Sequence, residues 1–249
     1  MTAKFFDLKN KRVIITGGSS GIGAEIVKKF CEQDSEVFFI DINENHAENL
    51  IKEIKNSKLK EPKFFFCDLQ DIEELKSTIQ KIGNTNVLIN NAGNDDRHTL
   101  DDITEEYFSE RLNLNLKHYF FASQAVFKHM SEFKSGSIIN LSSVSWIRAA
   151  NTFSLYATAK SAIIGLTRSL AKEFGKYNIR VNAILPGSIA TERQKELWLK
   201  SNLKDEILDL QCIKRQLLPA DVANLALYLA SDVSSGCTKQ NFIVDGGLT

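Results

Sequence analysis

Apolar and polar positions along the chain alternate between two periods. Short β-branched or aromatic runs, RVIIT (12–16), EVFFID (36–41) and KFFFCD (63–68), are each followed by a stretch whose apolar residues recur every three to four positions. The first kind suits a strand buried on both faces, and the second an amphipathic helix. NVLINNAG, GSIINLSS, IRVNAILPG and NFIVDGG extend the series to about seven strands. Helical patterns cover IGAEIVKKFCEQ, ENHAENLIKEIKN, IEELKSTIQKI, a long stretch over 105–133, YATAKSAIIGLTRSLAKEF and PADVANLALYLASD. The last opens on proline, which suits a first helical turn.

Strands separated by helices of this length build βαβ units. Right-handed crossovers wind such units into a doubly wound parallel sheet with helices on both faces. With no repeat, linker or low-complexity segment, the pattern predicts a single α/β domain over residues 1–249. A ligand belongs at the carboxyl ends of its strands. The polar helical segment 192–210 carries no clear strand and is expected to form a mobile lid at about 190–212.

Composition narrows the function classes. The 31 basic and 31 acidic residues cancel, so no global charge draws the chain to nucleic acid or an anionic membrane. No apolar run is long enough to span a bilayer, and MTAKFFDLKNKR lacks the apolar core of a signal peptide. Cys31, Cys67, Cys212 and Cys237 have neither metal-site nor redox spacing, and the histidines are scattered. The expectation is a cytoplasmic protein with small buried thiols, no structural metal, and no nucleic-acid or membrane partner.

TGGSSGIG (16–23) follows the first strand and opens the first helix. Gly17 permits a tight turn, Gly21 lets backbone approach a pyrophosphate, and Gly23 lets the helix sit near the sheet. The helix start offers free N–H groups and a positive dipole end to an anion, with Ser20 and Ile22 beside them. Asp41 ends the second strand, where an acidic residue meets an adenosine ribose. At about 5 Å and an effective dielectric near 20 it would repel a 2′-phosphate by roughly 3 kcal/mol per unit charge. Ser19 and Ser20 put no basic residue in the turn, so NAD is expected over NADP. The competing reading of Asp41 is a turn or cap aspartate.

YATAK puts Tyr156 and Lys160 one helical turn apart on one face. A nearby ammonium favours the phenolate, which would make tyrosine a usable acid/base. By itself such a pair is common. NLSSVSW brings Ser142 and Ser143 to the same sheet edge, where a hydroxyl can hold a reacting oxygen. Asn115 lies inside the long helical pattern, either as a satisfied core amide or as part of a proton relay.

Together TGGSSGIG, NNAG, NLNLK, SSVS, YATAK, PGSIAT and the terminal VDGG resemble the short-chain dehydrogenase/reductase family over nearly the whole chain. The resemblance implies a Rossmann-type fold and the tetrad Asn115, Ser143, Tyr156 and Lys160. Tyr156 would be the base in oxidation. Lys160 would lower its pKa and bind the nicotinamide ribose, and Asn115 would hold a water linking Lys160 to solvent. It further implies cofactor contacts at Asp68, Leu69, Asn91, Ile189 and Thr191, and a homotetramer, with a dimer as the smaller alternative.

NNAGNDDRHTLDDIT, ERLNLNL, TERQ and QC before a basic stretch resemble the aldose 1-dehydrogenase branch, which oxidises sugars such as D-xylose at C1 to the lactone. A sugar needs hydrogen-bond partners in number. Asn94, Asp95, Arg97 and His98 would supply them or brace the residues that do. The alternative is a solvated, salt-bridged loop or a subunit contact. Ser143, Ser145, Trp146, Tyr156, Gln194 and Trp198 complete the substrate candidates. Trp146 would stack on a sugar ring, or would sit in the core or an interface. Two other functions compete: a reductase or dehydrogenase of another alcohol or ketone, such as a 3-oxoacyl group, and a non-catalytic NAD-binding sensor.

Overall fold

The computed structural model describes residues 3–149, 151–197 and 201–249, with backbone alone for 201–203. Its strands are β1 (Arg12–Thr16), β2 (Glu36–Asp41), β3 (Lys63–Phe66), β4 (Val87–Asn90), β5 (Gly136–Leu141), β6 (Ile179–Pro186) and β7 (Asn241–Val244). They form one 7-stranded sheet in the order β3-β2-β1-β4-β5-β6-β7, and every neighbouring pair is parallel. The helices are α1 (Gly21–Glu32), α2 (Glu44–Asn56), α3 (Ile72–Ile82), α4 (Glu105–Leu112), α5 (His118–Phe133), α6 (Ser154–Phe174), α7 (Glu192–Leu197), α8 (Ser201–Leu210) and α9 (Pro219–Ala230). This is the expected doubly wound, Rossmann-type α/β domain.

Side chains alternate between the sheet's faces, which sorts the core into two halves. Val13, Ile15, Val37, Phe39 and Ile89 pack with Ile26, Val27 and Phe30 of α1 and with Val222, Ala226 and Leu227 of α9. Their strand neighbours Ile14, Phe38, Ile40, Leu88 and Ile138 pack with Leu75 and Ile79 of α3, Val126 of α5 and Phe174 of α6. Each such side chain contributes about 1.5–3 kcal/mol on full burial, so both faces hold the sheet.

The strand order reverses between β1 and β4, which opens a crevice beyond their carboxyl ends. The turn after β1 and the loop after β4 meet there: a Cβ on Gly17 would lie 2.8 Å from the Ala92 Cα.

Two expectations need correction. The pattern over 105–133 is not one α-helix, because a π-helical turn, Asn113–Lys117, separates α4 from α5. A π turn adds a residue without disturbing the apolar pattern on either side. Cys31 and Cys67 are buried, but Cys212 is exposed and Cys237 half-buried. Both lie in connections rather than in core elements. Among the described residues no helix is long and apolar enough to cross a membrane, and no cluster of three metal-ligating side chains occurs.

Candidate active site

A cleft of about 1200 Å³ runs along the carboxyl edge of the sheet, from the glycine turn to α7. Gly17 and Gly21 have φ of 65° and 55°, a conformation open to glycine at no steric cost. A Cβ on Gly23 would collide with the Gly17 carbonyl oxygen and come within 2.6 Å of the Asn91 side-chain nitrogen. Ser20 makes no side-chain cap on α1, so the first-turn amides stay open to an anion. Ser20 and Ile22 line the cleft beside them. A bare helix start cradled by glycines fits a dinucleotide pyrophosphate.

Asp41 also lines the cleft. Its Oδ2 accepts from Ser19 N at 2.9 Å, and its Oδ1 from Ile42 N at 2.8 Å and Asn43 N at 3.1 Å. It is therefore a turn aspartate as well as a cleft residue. A carboxylate has about four acceptor positions, so one remains for a ribose hydroxyl. Asp68 and the buried Leu69 line the same end, with Asp68 Oδ1 accepting from Gln70 N at 2.9 Å. Asn91 donates to the carbonyls of Thr16 at 3.0 Å and Gly17 at 2.8 Å. Its amide thus fixes the glycine turn, and only its oxygen is left for a ligand. Ile189 is buried and bridges to Leu217. Thr191 Oγ1 accepts from Gln194 N at 3.2 Å at the start of α7, and the Thr191 methyl faces Gly21.

The expected catalytic residues lie at the other end. Ser142 donates to the Lys160 carbonyl at 2.6 Å and pins α6, which leaves Ser143 as the serine for a reacting oxygen. Ser143 Oγ accepts from Ser145 N at 3.1 Å. Tyr156 and Lys160 line the cleft with the Lys160 ammonium 5.5 Å from the Tyr156 ring centre. Asn115 sits in the π turn, wholly buried. Its Nδ2 donates to Arg111 O at 3.0 Å, and its Oδ1 accepts from Asn94 N at 2.8 Å.

Burial is the largest influence on both titrating groups. It pushes Tyr156 up from its ordinary value; the Asp95 carboxylate adds to this and the Ser143 hydroxyl opposes it. Burial pushes Lys160 down to about 7, with Asp95 opposing. In the protein alone, then, burial outweighs the expected pull of Lys160 on the Tyr156 proton, because both groups are removed from water.

Loop 94–98 is salt-bridged but not merely solvated. Asn94, Asp95 and Arg97 line the cleft. Asn94 Oδ1 accepts from Asp96 N at 2.8 Å, and the Arg97 guanidinium lies 5.8 Å from the Phe153 ring centre. Gln194 and Arg193 of α7 reach Asp95 at 2.6 and 3.5 Å. Asp96 joins Arg193 at 2.5 Å and the buried Arg111 at 3.2 Å. His98 N donates to Thr152 O at 2.7 Å, and its Nε2 accepts from Leu155 N at 3.4 Å, bracing the start of α6.

Ser145 lines the cleft, and its buried hydroxyl has no partner among the described residues. Trp146 corrects the stacking expectation. The 3₁₀ turn Val144–Trp146 carries it against Val144, Ala183 and Leu185, off the cleft wall. Trp198 lies outside the described residues. Sequence reasoning missed Tyr119, wholly buried, whose hydroxyl accepts from the Lys160 ammonium at 2.9 Å. It follows Asn115 at helical spacing on an apolar helix, the one signal that could have marked it.

A family model described as enoyl-(acyl carrier protein) reductase matches residues 17–249. The D-xylose 1-dehydrogenase of Caulobacter vibrioides is 43% identical over 99% of this chain and 98% of its own. A "probable galactose dehydrogenase" of Rhizobium meliloti is 42% identical over the same shares, 99% and 98%. Among solved structures, a 3-oxoacyl-[acyl-carrier protein] reductase with bound NAD from Brucella melitensis superposes with a TM-score of 0.89. It is 33% identical, covering 97% of this chain and 92% of that one.

Proposed function

The chain belongs to the short-chain dehydrogenase/reductase family, and from that premise we propose that it is an NAD-dependent aldose 1-dehydrogenase. Its substrate is D-xylose or a related pentose or hexose, oxidised at C1 to the lactone. The observation that carries this reading is the wall beside the reaction centre. Asn94, Asp95, Ser145 and Gln194 line it with donors and acceptors, where a long acyl chain would need apolar surface. The sugar dehydrogenases at 43% and 42% identity support it.

Bound nicotinamide supplies the hydride acceptor. Ser143 holds the anomeric oxygen while Tyr156 removes its proton, a role worth about 10²–10⁴ in rate. Lys160, with its ammonium 5.5 Å from the Tyr156 ring centre, would hold the nicotinamide ribose. Asn115 fixes the loop at Asn94 through its side chain. Asp41 favours NAD, since repulsion of about 3 kcal/mol toward a 2′-phosphate is roughly a hundredfold in affinity. The protein acts in the cytoplasm, in carbohydrate metabolism, and assembles as a homotetramer; exposed Phe108 of α4 and Phe120 of α5 offer apolar surface for that.

The test is initial rates of NADH formation over aldoses, polyols and 3-hydroxyacids, with NAD and NADP in parallel. Turnover of aldoses with NAD is expected. Activity confined to hydroxyacids or polyols would overturn the sugar assignment. Cofactor binding without turnover of any alcohol would leave a sensor.

A further inference from the structure

Lys160 is almost wholly buried on α6, and no carboxylate among the described residues forms an ion pair with it. An ammonium has three N–H donors and needs acceptors for them once water is excluded. Two acceptors are in place, the Tyr119 hydroxyl and the Leu141 carbonyl, each at 2.9 Å. The Tyr119 hydroxyl has one proton of its own, directed to the carbonyls of Ala92 at 3.1 Å and Leu141 at 3.0 Å, so its lone pairs receive the lysine. The phenol thus spans the ends of β4 and β5 beneath the ammonium. Gly93 closes the far side, where a Cβ would lie 3.1 Å from both the Lys160 nitrogen and the Asn115 oxygen. The Asn115 side chain is committed to Asn94 and Arg111 and offers Lys160 nothing.

We infer that Tyr119 is a positioning residue of the reaction: its phenol oxygen anchors the Lys160 ammonium so that the remaining N–H faces Tyr156 and the cofactor. This rests on the dehydrogenase reading of the cleft, but not on which alcohol is the substrate. A tyrosine that merely filled the core would be replaced by phenylalanine at little functional cost. A tyrosine that anchors Lys160 would not, because the ammonium would lose an acceptor and its proton would be held less tightly.

The test compares Tyr119→Phe with Ser123→Ala. Ser123 lies on the same helix, and its hydroxyl donates to the Tyr119 carbonyl at 2.7 Å, away from Lys160. The readouts are the pH profile of kcat/KM, the dissociation constant of NAD by protein-fluorescence quenching, and the thermal midpoint. For Tyr119→Phe the alkaline limb should move down by about one pH unit, and NAD affinity should fall by about tenfold. Ser123→Ala should leave both near wild type. An unmoved limb with unchanged NAD affinity in Tyr119→Phe would overturn the inference, as would equal changes in both variants.

If Tyr119→Phe does not fold, Lys160→Met and the double variant decide the matter by urea unfolding. Recovery of cooperative unfolding in the double variant supports the inference, since the hydroxyl then serves the lysine. A Lys160→Met protein that folds alone but not with Tyr119→Phe overturns it, since the hydroxyl then serves only the two carbonyls. NAD binding is read without any alcohol present. A failed sugar assignment therefore shows in the rate panel and leaves this result standing.

Discussion

Gln194 reaches from α7 and donates its side-chain amide to the Asp95 carboxylate at 2.6 Å. With Arg193 joined to both Asp95 and Asp96, this stitches the segment after β6 to the loop after β4. The residues expected to form a lid are thus fastened to the residues expected to meet a sugar. Arg193→Ala should loosen that seam. Arg193 is half-exposed, so its ion pairs contribute about 0.2–1 kcal/mol, or up to roughly fivefold in KM. Limited proteolysis should cut 192–210 faster in this variant and slower when NAD and sugar are bound. Equal cutting in all states would count against a moving lid.

Tyr156→Phe separates an enzyme from a binder. Loss of the phenol should lower kcat by about 10²–10⁴ while NAD affinity stays within a few-fold. Stopped-flow NADH formation and fluorescence titration read the two quantities. An unchanged kcat would remove Tyr156 from the reaction.

Asp41→Asn tests the cofactor choice. The substitution removes the charge but keeps one acceptor oxygen for the amides that Asp41 holds. The preference for NAD over NADP in kcat/KM should shrink by at least about tenfold, since repulsion of a few kcal/mol is withdrawn. A preference that survives intact would mean the turn geometry, not the charge, selects the cofactor.

His118 begins α5 wholly buried, its ring set against the backbone of Leu114 and Ala92. Burial first, and the Lys160 charge second, push it down to about 3. The unfolded chain takes up this proton near pH 6.5, and the native protein only near pH 3. Stability is therefore lost as pH falls through that window, by at most about 1.4 kcal/mol per pH unit from this residue. Urea unfolding at pH 7 and 5 should show a smaller loss for His118→Leu than for the wild type. Equal losses would show that the ring takes up its proton alike in the folded and unfolded states.

Much of the fold was legible because its signals are local. The runs at β1 and β2 end where the strands end, since a parallel strand buried on both faces is a continuous apolar run. The glycine turn, and the meeting of Ser143, Tyr156 and Lys160 at one cleft, were legible because few folds need those residue types in that order. Trp146 was not, since one 3₁₀ turn decides whether its ring meets the cleft or the core. Tyr119 was not, because a phenol on an apolar helix face looks like packing until its oxygen is located. The seam from Arg193 to Asp96 joins residues far apart in sequence, and such a contact leaves no trace in local periodicity.

The π turn at Asn113–Lys117 has a consequence for alignment and for chimaeras. An α-helix advances about 100° per residue, so one added residue is a change of phase more than of length. Deleting a residue from this turn would let α4 run into α5 in phase, whereas deleting one between the turn and Arg111 would rotate α4 and carry Arg111 away from Asp96 and Tyr107 away from His98. Segments grafted between relatives across 105–133 must therefore be matched at Asn115, with any one-residue gap placed in the turn. A splice that ignores the phase would preserve the helix and misaim everything that hangs from its first half.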